Sequence, residues 1–124
     1  MKAVIHRVEK PWGYELIFAK SESYVGKILH INKGHKLSLQ YHREKEETIY
    51  LASGKMLFLF EEAKGKIVEI ELLPGDAHHI PPGRQHRMVA LEDCDVFEVS
   101  TTQLEDVVRI DDSYGRTPRE AEAL

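Results

Sequence analysis

Cysteine and long apolar runs are almost missing from this sequence, and each shortage excludes a class of protein. Cys94 is the single cysteine, so the chain has no intrachain disulfide and suits a reducing compartment. The longest apolar run, Met56–Phe60, is far too short to span a bilayer. Met1–Lys10 lacks a signal-peptide pattern, because charged residues interrupt its apolar stretch. We therefore expect a cytoplasmic protein without a membrane partner.

A surplus of basic residues is also missing. The formal net charge is -4 at pH 7, whereas a phosphate backbone attracts a basic surface, so nucleic acid is not expected as a partner. The 124 residues suit one domain with its own core. We place that domain at residues 1–116 and a short tail at residues 117–124, which is either one helical turn or disordered.

Short apolar segments separated by Gly, Pro and polar turns run through most of the chain. Several have the length and residue types of β-strands. They are Glu15–Ala19, Tyr24–Ile31, Leu37–His42, Ile49–Ala52, Lys55–Glu61, Ile67–Leu72, Ala77–Ile80, His86–Ala90 and Cys94–Thr101. No stretch before the tail has helical periodicity. At least about eight short strands, roughly ten residues apart, predict an all-β sandwich or barrel.

Four polar residues stand where these strands would bring them together. Gln40 and His42 are two apart and so share one face of a strand. Glu47 opens the next apolar run, and His86 follows a rigid Pro-Pro-Gly turn. Two imidazoles, a carboxylate and an amide oxygen that converge inside a barrel predict a site for a divalent metal. Taken singly, Gln40 would be an ordinary hydrogen-bonded barrel residue; the spacing of the whole set favours the metal site.

The spacing of these residues resembles that of a known family. The segment Gly34–Gly54, with Gln40, His42 and Glu47 inside it, is similar to the first cupin motif, with Gln in place of the usual first His. The segment Gly75–His86 resembles the second cupin motif. Within the cupins, the chain resembles the C-terminal domain of type II mannose-6-phosphate isomerases. The blocks that carry this likeness are PWGYE at 11–15, LSLQYH at 37–42, IPPGRQHR at 80–87 and VVRIDDSYGR at 107–116.

This resemblance implies a fold, an activity and a metal. The fold is a single-domain cupin, a double-stranded β-helix barrel of the jelly-roll type. The activity is a metal-dependent interconversion of mannose 6-phosphate and fructose 6-phosphate through an enediol, with a sugar phosphate as the small-molecule partner. One divalent ion, zinc first and otherwise manganese, cobalt, nickel or iron, would be held by Gln40, His42, Glu47 and His86.

Basic residues beside the two motifs are candidates for the rest of the reaction. Lys36, Arg84 and Arg87 are expected to bind the phosphate group, because Arg pairs with phosphate through two hydrogen bonds and Lys acts as a point charge. Lys45 and His79 are candidates for the group that carries a proton between C1 and C2. His79 has a competing surface role, since only one of two adjacent histidines on a strand faces the barrel interior.

Two departures from the type II enzymes leave other functions open. Their Glu ligand is preceded two residues earlier by Arg and followed by His-Trp, whereas Lys45, Thr48 and Ile49 stand here. Nothing in the 124 residues resembles the Gly-rich loop of their guanylyltransferase domain. One alternative is a non-catalytic binding module for a sugar phosphate or nucleotide sugar, serving a separate nucleotidyltransferase chain. The other is an iron dioxygenase-type cupin, which would prefer His at position 40.

The alternation in LSLQYH also predicts an assembly. Leu37, Leu39 and Tyr41 would share the strand face opposite the metal ligands. An apolar face of this kind needs cover, so we expect a homodimer. The likeness in the last block further implies that Arg116 folds back near a rim of the barrel.

Overall fold

The computed structural model describes residues 1–116, in which strands are joined by turns. The strands are β1 (His6–Lys10), β2 (Gly13–Lys20), β3 (Val25–Ile31), β4 (Leu39–Tyr41), β5 (Glu47–Ser53), β6 (Met56–Ala63), β7 (Lys66–Leu72), β8 (Ala77–Ile80), β9 (His86–Ala90), β10 (Cys94–Ser100) and β11 (Val108–Asp111). Over these residues no helix is long and apolar enough to cross a membrane. The expected tail at 117–124 lies outside the described residues.

The strands form two antiparallel sheets that face each other. One sheet has the order β1-β2-β3-β10-β5-β8, and the other has the order β11-β4-β9-β6-β7. Strands that are distant in sequence are therefore neighbours in a sheet; for example, β10 pairs with both β3 and β5. The predicted all-β fold is confirmed, and the crossing order is that of a jelly roll.

The inward faces of three neighbouring strands change from apolar to charged at the same end of the barrel. Alternate residues of β3, β5 and β10 point inward, and at one end the buried inward residues are Lys27, Glu47 and Glu98. The register fixes this alignment, because Glu98 lies opposite Lys27 and Ser100 lies opposite Glu47. Further along the same faces the residues are apolar and join the core. The core therefore fills one end of the barrel and leaves a polar end.

Two edge strands, β1 and β11, are not predicted by the sequence. The β1 segment, HRVEK, alternates polar residues around a single valine, and β11 is the four-residue VRID. Strand β1 has one β-branched residue, and the two in β11, Val108 and Ile110, stand in a segment of only four residues. Pairing of β1 with β2 and of β11 with β4 supplies the hydrogen bonds that order them. Tertiary pairing, rather than local propensity, makes these two strands.

The expected apolar face of Leu37, Leu39 and Tyr41 is wrong for Leu37. That residue is buried in the core, and the adjacent Ser38 is buried as well. Strand β4 begins only at Leu39, so the period-two alternation does not extend back to Leu37. Leu39 and Tyr41 are half-buried. The homodimer stays a prediction, and Leu37 does not contribute to a surface that would support it.

Candidate metal centre and cavity

The polar end of the barrel contains a cavity of about 370 Å³, within the size range of small-molecule sites. Its apolar wall is the edge of the core, with Trp12, Leu29, Leu37 and Met88. Its charged wall has more cationic than anionic side chains. The cationic residues are Lys10, Lys20, Lys27, Lys45, Arg109 and Arg116, and the anionic residues are Glu15, Glu47, Glu98 and Glu105. Gln40 and His42 also line this cavity.

Three buried side chains converge at one wall of the cavity. His42, Glu47 and His86 each present a ligand atom, and these atoms all lie within 4.8 Å of one another. His42 Nε2 is 3.2 Å from Glu47 Oε2, and His86 Nε2 is 3.9 Å from Glu47 Oε1. Ligands that share one zinc ion at bond lengths of about 2.1 Å lie about 3.4 Å apart in a tetrahedron. The separations fit a common divalent ion.

The hydrogen bonds of the two imidazoles fix which nitrogen faces Glu47. His42 Nδ1 is 2.6 Å from the carbonyl oxygen of Asp106, and His86 Nδ1 is 3.0 Å from that of Arg84. A carbonyl only accepts, so each Nδ1 carries the proton and each Nε2 of the neutral ring is an acceptor. Neither Nε2 has a hydrogen-bond partner among residues 1–116. Two lone pairs thus face a carboxylate, and a cation between them resolves that repulsion.

The burial of His86 keeps its ring in the form that binds metal. Burial lowers the pKa of His86 to about 4, so the imidazole is neutral at pH 7. For Glu47, burial alone would raise the pKa of the carboxyl. The positive charge of Lys45, whose Nζ lies 3.0 Å from Glu47 Oε2, opposes burial, and the pKa of Glu47 stays well below its ordinary value. A neutral imidazole and an ionised carboxylate are the forms that ligate a divalent cation.

Two turns hold His42 in place. Between β4 and β5, the carboxylate of Asp106 accepts backbone N–H bonds from Arg43, Glu44 and Lys45 at 3.0, 2.7 and 2.9 Å. On the other side, the N–H of Gly83 donates to the carbonyl oxygen of His42 at 2.7 Å. Gly83 has a φ of 82°, a conformation that favours glycine. The turn that follows Pro81-Pro82 is therefore tied directly to a candidate ligand.

Gln40 lines the same cavity on the neighbouring strand. The hydroxyl of Ser38 donates to Gln40 Oε1 at 2.7 Å, which orients the amide and leaves this oxygen with a second lone pair. In the sheet, Gln40 lies directly opposite His86, so both side chains point to the inner face. Gln40 can therefore add an oxygen donor to the two nitrogens and the carboxylate.

Lys45 lies between two buried carboxylates. Its Nζ is 3.0 Å from Glu47 Oε2 and 3.1 Å from Glu98 Oε2. Burial opposes the charge on Lys45, but the two carboxylates outweigh burial and raise its pKa above the ordinary value. Burial and the charge of Glu47 raise the pKa of Glu98. A second pair, Lys27 with Glu15 at 3.4 Å, continues this row of alternating charges along the sheet.

Comparison with known proteins decides the family. Residues 27–100 match the protein family described as Cupin domain, which is more than half of the chain. This chain is a cupin. The family expected from its two motifs is thereby confirmed, and His42, Glu47 and His86 stand at the positions from which that expectation came.

A curated relative of this cupin is Xanthan biosynthesis protein XanB from Xanthomonas campestris pv. campestris. The two are 31% identical over 122 residues, which is 94% of the cupin and 25% of XanB. The cupin therefore spans about a quarter of the length of this relative.

Solved structures show the same fold at lower identity. Oxalate decarboxylase from Bacillus subtilis superposes with a TM-score of 0.76 at 22% identity, covering 96% of the cupin and 33% of that chain. KdgF from Halomonas sp. superposes with a TM-score of 0.67 at 21% identity, covering 82% of the cupin and 90% of that chain. At this identity the likeness establishes the fold and nothing finer.

The cupin does not bring all of the sequence-predicted site residues together. Gln40, His42, Lys45 and Glu47 line the cavity, and the ring centroid of His86 lies 5.1 Å from that of His42. His79, on β8, does not line the cavity: its Nε2 is 2.6 Å from Oε2 of Glu46, just before β5, and both side chains are about half exposed. Since the buried Ile80 points into the barrel, its neighbour His79 points out.

The three residues expected to bind phosphate also lie away from the cavity lining. Arg84 Nη1 donates to the carbonyl oxygens of Glu61 and Glu62, both at 3.1 Å. Arg87 Nε donates to the carbonyl oxygen of Leu37, and its Nη1 contacts Asp111 Oδ2 at 3.1 Å. Arg87 follows the inward-facing His86 and so points to the opposite side. Lys36 forms an isolated backbone β-bridge with Val89, and it is not among the residues that line the cavity.

Other charged residues line the cavity in their place. Arg116 is there, as the likeness of the last block implied. Lys10 and Arg109 lie on the two strands that the sequence does not predict. No sequence pattern therefore indicated that they line the cavity. Glu98 had a detectable signal, because it follows Cys94 and Val96 on an otherwise apolar strand face. A charge on such a face is a mark of a site.

Proposed function

We propose that this cupin is a metal-dependent aldose–ketose isomerase that interconverts mannose 6-phosphate and fructose 6-phosphate. The observation that carries the proposal is the convergence of His42 Nε2 and His86 Nε2 on the Glu47 carboxylate, beside a cavity with more cationic than anionic side chains. Neither of these two imidazole nitrogens has a hydrogen-bond partner among residues 1–116. The likeness of four sequence blocks to type II mannose-6-phosphate isomerases supports the choice of sugar. XanB, by its name a protein of xanthan biosynthesis, supports a substrate from carbohydrate metabolism.

The donor set suits one divalent ion, held by His42, Glu47 and His86, with Gln40 as a further oxygen donor. When bound, such an ion supplies Lewis acidity toward the oxygens of an open-chain sugar. Zinc is our first choice, with manganese, cobalt, nickel and iron as the other ions that nitrogen and oxygen ligands accept.

Lys45 is the residue of this chain that we assign to stabilising developing negative charge; because it is already protonated, it is not the base that removes the proton from C2. It lines the cavity as an ammonium beside Glu47 and Glu98, so it presents positive charge and a proton at Nζ where an enediolate would develop. The surrounding barrel wall limits water at this point, since Leu29, Leu37 and Met88 form the apolar side of the cavity. His79, the other residue considered for proton transfer, points away from the cavity and we do not retain it.

A turnover assay with two matched histidine variants tests the proposal. Zinc-reconstituted protein is expected to convert mannose 6-phosphate to fructose 6-phosphate. His42→Ala should lose bound zinc and turnover together, whereas His79→Ala should keep both, because His79 contacts Glu46 outside the cavity. Turnover that survives His42→Ala without bound metal would refute the mechanism.

A second candidate function is a binding module for a sugar phosphate or nucleotide sugar. The observation that favours it is the double ion pair of Lys45, which occupies the ammonium with Glu47 and Glu98. Affinity for mannose 6-phosphate without turnover, on protein with its metal content confirmed, would select this function. An iron dioxygenase remains a third reading, because two His and one carboxylate also suit ferrous iron; oxygen consumption with iron-loaded protein would select it.

A further inference from the structure

The proposed isomerase needs a base that takes a proton from C2 of the sugar and returns it to C1. Lys45 is already protonated, and Glu47 is a candidate metal ligand. The other carboxylates on the cavity wall are those of Glu15, Glu98 and Glu105. Among the described residues, these three are the carboxylates that can serve as a base in the cavity.

The order of the strands puts Glu98 beside the candidate metal ligands. It lies on β10, which pairs directly with β5, the strand that begins at Glu47. In the register of that pair, Glu98 lies opposite Ile49, so Glu98 and Glu47 are diagonal neighbours on the inner face. Glu15 lies on β2, which is two strands beyond β10 in the same sheet.

Lys45 shows how close the two carboxylates are. Its Nζ is 3.0 Å from Glu47 Oε2 and 3.1 Å from Glu98 Oε2, so these two oxygens are no more than about 6 Å apart. A substrate carbon placed against the wall of Glu47 is therefore also within reach of Glu98. The ammonium of Lys45 contacts both carboxylates, where it can stabilise negative charge on the substrate oxygens.

The surroundings of Glu98 suit a base rather than a packing residue. Its neighbours on the same strand face, Cys94 and Val96, are completely buried in the core, whereas Glu98 is 4% exposed and lines the cavity. Burial raises the pKa of Glu98, while Lys45 and Lys27 act against burial and favour the ionised form. A carboxylate that is removed from water but still ionised is a stronger base than one in water.

We propose that the Glu98 carboxylate is the base that moves a proton between C2 and C1 of the sugar. This assignment rests on the proposed function. The electron pair of the C2–H bond forms a C1=C2 double bond, the pair of the C1=O1 double bond moves onto O1, and the proton goes to Glu98. The hydroxyl proton of O2 then passes to O1. The C1=C2 pair takes the proton back from Glu98 at C1 as the carbonyl forms at C2, so the ketose is released and Glu98 is again a carboxylate.

Kinetics of Glu98→Gln in zinc-loaded protein give the first test. This change keeps the size of the side chain and removes the base, so kcat should fall at least about 100-fold. The KM for mannose 6-phosphate and the zinc content should stay within about threefold of wild type. Glu61→Gln is the matched control, because Glu61 is a buried carboxylate outside the cavity that accepts backbone N–H bonds from Gly65 and Gln85. Its kcat should stay within about twofold of wild type.

Covalent labelling of wild-type protein gives a second test that does not depend on a variant. The probe is 1,2-anhydromannitol 6-phosphate, whose epoxide esterifies a carboxylate at the reacting carbons. A carboxylate oxygen bonds to carbon as the epoxide C–O bond breaks, and the epoxide oxygen takes a proton from water. Peptide mass spectrometry should find the ester on Glu98, and mannose 6-phosphate should prevent it. An ester on Glu15 or Glu105 instead would overturn the assignment.

The failure of the base and the failure of the proposed function give different results. Isomerisation by wild type together with a loss of kcat smaller than about tenfold in Glu98→Gln would overturn the base alone. No isomerisation by zinc-loaded wild type would overturn the proposed function itself. Thermal unfolding checks that Glu98→Gln is folded, and the label on wild-type protein decides the assignment where it is not.

Discussion

Lys45 Nζ lies 3.1 Å from Glu98 Oε2, with both side chains almost completely buried in the cavity wall. Removing one member of such a pair leaves an uncompensated buried charge and costs about 3–5 kcal/mol. We therefore expect Lys45→Met to destabilise the protein by about that amount, and Glu98→Leu to destabilise it by less, because Lys45 keeps its contact with Glu47 at 3.0 Å.

We also expect the two substitutions to be non-additive. The free energy of unfolding of the double variant Lys45→Met/Glu98→Leu should fall by less than the sum of the two single decreases, by at least about 1 kcal/mol. Urea unfolding of zinc-loaded protein measures the cycle. Strict additivity would show that the two groups do not interact, and that Lys45 is held by Glu47 alone.

Asp106 should act on the metal site although it is not a candidate ligand. Its carboxylate holds the turn at Arg43, Glu44 and Lys45, and its carbonyl oxygen accepts from His42 Nδ1. Asp106→Asn replaces one acceptor oxygen by a donor, so we expect a loss of about 1–3 kcal/mol in stability. Zinc affinity should fall about 10–100-fold, as for other groups that orient ligands.

A competition titration with a chelator measures the zinc affinity of Asp106→Asn. Asp93→Asn is the matched control, because Asp93 Oδ1 also accepts a backbone N–H, from Lys33 at 2.7 Å, in an exposed turn. Zinc affinity of Asp106→Asn equal to that of the control would contradict the positioning role.

Zinc should stabilise the fold through the three convergent ligands. An ion that binds only the native state adds about 2.7 kcal/mol when its concentration is a hundred times its Kd. The melting temperature of wild type and of His79→Ala should therefore rise on addition of zinc to chelator-treated protein. His86→Ala should show no rise above its own metal-free value. A rise in His86→Ala equal to that of wild type would place the metal elsewhere.

The stability of the protein should decline in acid partly through Asp112. Hydrogen bonds from the Arg116 side chain hold the pKa of Asp112 below its ordinary value of 3.8. A lowered pKa in the folded state contributes stability above the ordinary value, and that contribution is lost as pH falls through the lowered value. Asp112→Asn should thus be less stable than wild type by about 1.5–3 kcal/mol at pH 7.

The gap between wild type and Asp112→Asn should shrink as pH falls below about 4, since Asp112 then takes up a proton. Denaturant unfolding of both proteins between pH 3 and pH 7 follows the gap. A gap that stays constant over this range would mean that the pKa of Asp112 does not differ between the folded and the unfolded protein.

Most of the fold and the candidate ligands could be predicted, because local sequence patterns indicate both. Strand β5 alternates buried Glu47, Ile49 and Leu51 with more exposed residues, and Gly-containing turns bound the segments. His42 and His86 stand at motif spacings beside such turns. Period-two alternation and turn chemistry require no knowledge of distant contacts.

The positions of Lys10, Arg109 and Asp106 at the site could not be predicted, because long-range pairing places them. Lys10 and Arg109 lie on short edge strands that are ordered by pairing with β2 and β4. Asp106 reaches His42 across 64 residues of sequence. Arg84 and Arg87, chosen for their nearness to the motif in sequence, instead bind carbonyl oxygens of the chain itself. Adjacency in sequence is a poor guide to a shared cavity when successive residues of a strand face opposite sides.

Proton NMR of mannose 6-phosphate in heavy water with zinc-reconstituted protein tests the central claim most directly. An isomerase that works through an enediol exchanges the C2 proton with solvent, so we predict loss of the C2 proton signal as fructose 6-phosphate grows. His42→Ala, assayed beside it, should leave the spectrum unchanged. An unchanged spectrum with wild-type protein, with bound zinc confirmed in the same sample, would contradict the isomerase and leave the binding module as the function of this cupin.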